Sequence, residues 1–209
     1  MYVPTHFQAD DDALVDELID ANSFATLVSQ RGGEPFATHL PLLRERRDGR
    51  TVLVGHLARA NPHWRAFGDA TVMAIFQGPH GYVSPRYYVS PNLVPTWNYA
   101  AVHCYGRVRI VDDAAQARAI LAKMVERYEG DRAGRWTMSL DPDFEAKLVA
   151  AIVAFEIDVE RVEAKFKLSQ NRAPADRRSL LAALDADAGA AELAALTRRV
   201  LAPTDERNG

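Results

Sequence analysis

Between residues 10 and 22 apolar side chains recur at helical spacing. Leu14, Val15, Leu18 and Ile19 fall on one face, and the acidic residues 10–12 suit a helix N-terminus. The period then shortens. Residues 24–29, 36–43 and 51–56 read as strands, separated by Arg31-Gly32-Gly33-Glu34-Pro35 and by Arg47-Asp48-Gly49, which predicts an antiparallel meander. Asn61-Pro62 pairs an N-cap residue with proline at the first helical position and opens a short helix to about Phe67. Residues 70–76 read as a buried strand, and residues 78–94, rich in Pro, Ser and Tyr, as a long ordered loop, either bare or holding short strands. Over residues 102–110 Val102, Cys104, Val108 and Ile110 share a strand face with Gly106.

Two helical stripes follow. One comprises Ala117, Ile120, Leu121, Met124, Val125 and Tyr128 within residues 114–128. The other comprises Phe144, Leu148, Ala151 and Ile152 within residues 143–154, just after Asp141-Pro142. Residues 155–164 return to strand alternation. Residues 179–201 read as an Ala/Leu-rich helix in two pieces, broken near Gly189, with fraying expected from Thr204. This order predicts an α+β fold with a barrel-like antiparallel core. A domain over residues 1–175 would carry a helical insertion at about 112–154, and residues 176–209 would form a helical tail.

The chain has 209 residues, of which 48% are hydrophobic and 25% charged, so it can bury a core without a disulfide or metal staple. Its net charge of -3 argues against a broadly basic nucleic-acid surface. A single cysteine, Cys104, fits a reducing cytoplasm and sits on an expected buried face. The apolar runs fall short of a membrane-spanning helix, and residues 1–12 lack the regions of a secretory signal. No phosphate-loop, dinucleotide, nucleophile-elbow or zinc-ligand motif occurs, and no metal site is expected.

Candidate chemistry concentrates between Thr38 and Asn98. Arg59 beside the Asn61 turn either holds an anion at a helix start or belongs to a capped surface helix. The glycines and prolines of residues 76–85 either admit a flat ligand or make a tight turn. Trp97 and Tyr99 flank Asn98, as a cofactor wall or as core. Residues 165–172 form a polar segment after a strand. Arg44, Arg46, Arg47 and Arg50 flank one turn and read as a solvated hairpin or a basic patch.

Taken in order, several segments are distinctive: Ala37-Thr38-His39-Leu40-Pro41-Leu42-Leu43, Gly55-His56-Leu57-Ala58-Arg59-Ala60-Asn61-Pro62, Ile75-Phe76-Gln77-Gly78-Pro79-His80, Val94-Pro95-Thr96-Trp97-Asn98-Tyr99 and Lys167-Leu168-Ser169-Gln170-Asn171-Arg172. The set resembles the PaiB-type family of FMN-binding negative transcriptional regulators over residues 1 to about 175. The resemblance implies a six-stranded Greek-key split barrel, related to pyridoxamine-phosphate-oxidase-like flavoproteins, that forms a homodimer with FMN at the interface. It also implies roles for particular residues. Arg59 would take the FMN phosphate, supported by His56 and Asn61. Thr38, His39 and Leu40 would line the ring system, with Gln77 near its polar edge. Trp97 and Asn98 would come from the partner subunit, and Lys165, Ser169 and Gln170 would be further contacts. No general acid or base stands out beyond His39. Two alternatives stay open: a haem-binding split barrel using one of the histidines, and a flavin-independent regulator acting through DNA or a protein partner.

Overall fold

The structure is a computed structural model describing residues 1–68, 70–130 and 132–202; the expectation for the segment from Thr204 lies outside the described residues. Six antiparallel strands close into a barrel in the order β1-β2-β3-β6-β5-β4. They are β1 (Phe24–Arg31), β2 (Glu34–Arg47), β3 (Arg50–Ala58), β4 (Val72–Val83), β5 (Thr96–Val111) and β6 (Ile152–Lys167). Helix α1 (Asp12–Ala21) precedes the barrel. Helices α2 (Ala114–Glu129) and α3 (Pro142–Ala150) stand between β5 and β6, and α4 (Pro174–Asp185) and α5 (Ala191–Leu201) follow.

The two hairpins form where the sequence supplies residues tolerant of positive φ. Gly32 and Gly33 have φ 61° and 85°, and Asp48 and Gly49 have φ 50° and 77°. Paired positive values suit the twist of a two-residue β-turn. Register follows: Leu27 faces Thr38 across the first hairpin and Leu43 faces Val54 across the second. Pairing of Thr26, Leu27 and Val28 with Ile75, Ala74 and Met73 closes the ring.

Two compact units can be described. The first comprises Met1–Leu18, Gln77–Val102 and Glu163–Gly209; the second comprises Ile19–Phe76 and His103–Val162. In the second unit Leu42, Leu53, Phe155 and Ile157 are fully buried, each such side chain contributing about 1.5–3 kcal/mol. A second apolar layer there gathers Val52, Val54, Val111, Ala117, Ile120, Met124 and Ala154. In the first unit Leu14, Val15, Leu18, Phe166, Leu168, Leu180, Leu184 and Leu193 are buried.

Three expectations need correction. Residues 78–83 continue β4 rather than forming a loop. Gly78 is there for close packing, since a Cβ would come 2.8 Å from Leu18 Cδ1 and 3.5 Å from the Ala100 Cβ. Strand β5 starts at Thr96, ahead of the expected Val102. Helix α3 ends at Ala150, because Ile152, Val153 and Ala154 pair with Ala58, Leu57 and His56 of β3; these pairs override a marginal helical stripe. That stripe is not buried either: Phe144 and Leu148 are exposed, as is Tyr128 on α2.

Gly106 marks the tightest packing in the barrel wall. A Cβ there would overlap the carbonyl oxygen of Asp158 and approach Ile157 Cγ2 to 3.0 Å. Gly106→Ala should therefore destabilise the protein by about 1–3 kcal/mol in urea unfolding. An unchanged midpoint would show that the two backbones can separate freely.

Candidate functional site

In the second unit a buried histidine organises the polar residues around β2 and the end of β3. His63 is fully buried. Its Nε2 lies 2.8 Å from Ser29 Oγ and its Nδ1 2.7 Å from Thr38 Oγ1. A neutral imidazole offers one donor and one acceptor, and hydroxyls can serve either. Asn61 completes the network: its Oδ1 accepts from the His63 N–H at 3.0 Å, and its Nδ2 donates to Thr38 Oγ1 at 3.1 Å. Asn61 thus caps the 3-10 turn Pro62–Ala66, as the Asn-Pro signal indicated. Ser29 and His63 were not singled out from sequence. A polar Ser alternating with Ala25 and Leu27 on β1 was the available signal.

Alternation along β2 separates the candidates Thr38, His39 and Leu40. Leu40 is buried on the same side as Leu42, and Thr38 shares that parity. His39 is exposed on the other face, where its Nδ1 lies 2.9 Å from Thr26 Oγ1 and its ring stacks on Phe24 at 6.4 Å. His56, on β3, is half-buried, and its Nδ1 has no hydrogen-bond partner. Burial pushes the pKa of both His56 and His63 below the ordinary histidine value, which favours neutral rings at pH 7.

Arg59 follows β3 directly. Its Nε donates to Ala150 O at 2.8 Å and its Nη2 to Ile152 O at 2.7 Å. It therefore satisfies carbonyls at the end of α3 and the start of β6, leaving Nη1 for another acceptor. Arg59 also lines a cavity of about 490 Å³, together with Trp64, Arg118, Glu145, Val149 and Ile152. Of the candidates from sequence, only Arg59 borders that space.

The remaining candidates belong to the first unit. Gln77 is exposed on β4. Asn98 is fully buried and donates to Ser169 Oγ at 3.1 Å, which in turn lies 3.1 Å from the Tyr88 hydroxyl. Ser169 adopts φ 66°, a left-handed conformation held by this network. Gln170 is occupied locally, accepting from the Leu168 N–H at 2.7 Å and donating to Phe166 O. Lys165 is 8% exposed; its Nζ donates to Tyr2 O at 3.0 Å and stands 5.4 Å from both the Tyr2 and Tyr99 rings. Lys167 donates to Thr96 Oγ1 at 2.5 Å and to Trp97 O at 2.6 Å. Burial, with the charges of Lys165 and Arg172, pushes the Lys167 ammonium below its ordinary pKa. The exposed Trp97 ring lies 6.0 Å from His80 and 6.3 Å from Tyr82.

The arginine hairpin is largely neutralised within the chain. Arg44 forks onto Asp20, with its Nη2 2.5 Å from Oδ2. Arg47 bridges Glu45 at 2.6 Å and Glu156 at 2.9 Å, and Arg109 also binds Glu156. Such pairing removes charge that a phosphate backbone would need.

A closed ring of six antiparallel strands with a helical pair between its fifth and sixth members defines a split-barrel domain. A family model described as "Putative FMN-binding domain" matches residues 1–161. Over 179 residues the chain is 40% identical to Protease synthase and sporulation protein PAI 2 of Bacillus subtilis (strain 168), covering 84% of this chain and 85% of that protein. It is 30% identical over 190 residues to Uncharacterized protein AN0679 of Emericella nidulans, covering 74% and 76%. The chain belongs to the PaiB-type FMN-binding family, and its barrel is an FMN-binding domain. The flavocytochrome Anf3 from Azotobacter vinelandii shares the fold with TM-score 0.61 and 18% identity, over 79% of this chain and 72% of that one. The FAD and heme binding protein from Mycobacterium smegmatis does so with TM-score 0.59 and 20% identity, over 77% and 73%.

The two neutral histidines make stability pH-dependent. Their folded pKa values lie below the ordinary 6.5, so below pH 6.5 the unfolded chain binds more protons than the folded one. Stability is complete above that pH and declines as pH falls, by up to about 1.4 kcal/mol per pH unit for each histidine. Urea unfolding between pH 7 and pH 5, above the carboxylate range, should show the decline, and His56→Leu should make it shallower while leaving the His63 share. A midpoint constant over that window would contradict neutral, buried rings.

Proposed function

We propose that the chain is a homodimeric FMN flavoprotein with a redox or sensing role, acting in the cytoplasm. The observation that carries this reading is the FMN-binding family match over residues 1–161, which contains Arg59, the β2 strand and the His63 network. Among the described residues no helix is long and apolar enough to cross a membrane.

The residues of the second unit fit a phosphomonoester attached to a flat ring system. Arg59 keeps Nη1 for an anionic oxygen after its two carbonyl contacts. The His56 Nδ1 is a buried ring nitrogen without a protein partner, which a ligand oxygen can satisfy. Asn61 and Thr38, fixed by His63, stiffen the turn that carries Arg59. The exposed Phe24–His39 stack offers a planar surface. When bound, FMN supplies hydride or single-electron chemistry, while the protein fixes its position and its hydrogen bonds. Arg59 would orient the phosphate.

Regulation through direct DNA reading receives no support from the hairpin arginines, since Arg44 and Arg47 are paired internally. A protein partner that responds to flavin state fits the acidic chain better.

The purified protein should bind FMN with one flavin per chain, quenching or shifting the flavin's visible spectrum, and should sediment as a dimer. Arg59→Gln should weaken FMN binding by about tenfold or more, the usual scale for a lost charge-assisted phosphate contact, with little effect on riboflavin, which lacks the phosphate. Failure of the wild-type protein to bind FMN would overturn the proposal. Equal losses for FMN and riboflavin would move the phosphate away from Arg59.

A further inference from the structure

Helix α2 carries a cation that neither the ion pairs of the second unit nor the flavin reading uses. Arg127 donates from Nη2 to the Asp20 carbonyl oxygen at 2.9 Å, closing the end of α1. No carboxylate among the described residues is paired with it. Whichever hydrogen of Nη2 the carbonyl takes, one two-donor edge of the planar guanidinium stays open. Arg127 borders a cleft of about 450 Å³ where the end of α1, the approach to β1, strand β2 and helix α2 meet, all within the second unit. That volume is ordinary for a small-molecule site. None of the residues assigned to the flavin lines it.

The other charged groups around the cleft are committed. Arg44 forks onto Asp20, and Glu45 takes Lys123 at 2.5 Å and Arg47 at 2.6 Å. Arg44, Lys123 and Arg127 thus line the space against only Asp20 and Glu45, and the unmatched charge is that of Arg127. Ser23 Oγ, also in the wall, lies 2.7 Å from the Tyr128 hydroxyl; such a pair shares one hydrogen and keeps the other free to donate. Leu43 supplies an apolar wall that runs into the layer between the barrel and α2. The methylene stems of Lys123 and Arg127, one helical turn apart, extend it. One unmatched positive charge suits a monoanion, and an open guanidinium edge suits the two coplanar oxygens of a carboxylate. The volume and the apolar wall are more than a bare anion fills. Both carboxylates of the cleft are held in ion pairs, which leaves neither as a general base, so the ligand is bound rather than converted.

We propose that this cleft binds a small amphipathic monocarboxylate as an effector, its carboxylate forked on Arg127 beside the Ser23–Tyr128 hydroxyls and its apolar chain laid along Leu43. The occupant touches β2 and α2 together and so ties the helical pair to the sheet. Nothing in the site rests on the flavin reading.

Calorimetric titration of the full chain saturated with FMN, using octanoate below its micellar range as probe, tests this. One octanoate should bind per chain, about tenfold or more tightly than octanol or acetate. Affinity should rise by up to about fourfold for each CH₂ from butanoate to octanoate. Arg127→Gln should weaken octanoate by about tenfold, and Arg127→Lys should recover only part of the loss, since it restores charge without the fork. A flat chain-length series would remove the apolar wall and needs no variant to fold. Equal binding of octanesulfonate would reduce the contact to charge attraction and overturn the carboxylate assignment. No effect of Arg127→Gln, in a protein that unfolds in urea like wild type, would overturn the site. Release of FMN by octanoate would place the acid in the flavin site and end the claim of a separate cleft. If FMN itself fails to bind, the same titration on the flavin-free chain tests this site separately from the flavin proposal.

Discussion

Closure of the sheet is the constraint on which the rest depends. Once Thr26, Leu27 and Val28 pair with β4, and β3 pairs with β6 from Ala58 to Val52, no strand has a free edge. Each strand residue must then point either into the barrel or away from it, with no third choice. The interior has room only where the sequence makes it. At Gly55 a Cβ would stand 2.6 Å from Leu42 Cδ2, and at Gly106 it would meet a backbone carbonyl. Glycine at these positions serves close approach between strands, whereas Gly32, Gly33 and Gly49 serve turn conformation.

Closure also explains the form of the polar network. A histidine with no exposure would be costly with an unsatisfied ring nitrogen. His63 avoids that cost because β1 and β2 bring Ser29 and Thr38 to its two nitrogens. The same hydroxyl of Thr38 receives the Asn61 amide, so the turn that delivers Arg59 is tied to the sheet by a chain of hydrogen bonds. Precision at Arg59 is therefore inherited from strand register. A one-residue slip of β2 would turn Thr38 outward and remove the partner of the His63 Nδ1.

Much of this was legible in the sequence, and the reasons for the rest are physical. Both hairpins were readable because Gly-Gly and Asp-Gly demand particular backbone conformations. Helices α1 and α2 were readable because their apolar period is long. The continuation of β4 through Gly78-Pro79-His80-Gly81 was not, since these residues signal turns locally and only packing against Leu18 shows why glycine sits in a strand. The end of α3 was misread for a related reason, because Ile152 fits either period and strand pairing decides. At the candidate sites, Asn61 and Arg59 were found through capping chemistry. His63 was missed because its partners come from strands distant in sequence, and no local spacing encodes a hydroxyl pair closing around a ring.

The two groups of basic residues show how charge can be read once partners are known. In the sequence the four arginines around the β2–β3 turn read as a solvated hairpin or a basic patch, and residues 165–172 as a polar segment after a strand. Their partners separate the two groups. Arg44 and Arg47 face Asp20, Glu45 and Glu156, whose carboxylates already take their hydrogen bonds. Burial raises the Glu45 pKa, but the bonds from Lys123 and Arg47 outweigh it and hold the carboxyl below the usual range, as expected of a settled ion-pair lattice. Lys165 and Lys167 instead meet only neutral oxygens and ring faces, and burial together with the charge of Lys165 lowers the Lys167 pKa. Internal ion pairs stabilise a fold but offer nothing to a ligand, whereas cations compensated only by dipoles keep most of their field for an incoming anion. The count of basic residues in a segment is thus a poor guide to anion binding, and the count of missing carboxylates around them is a better one.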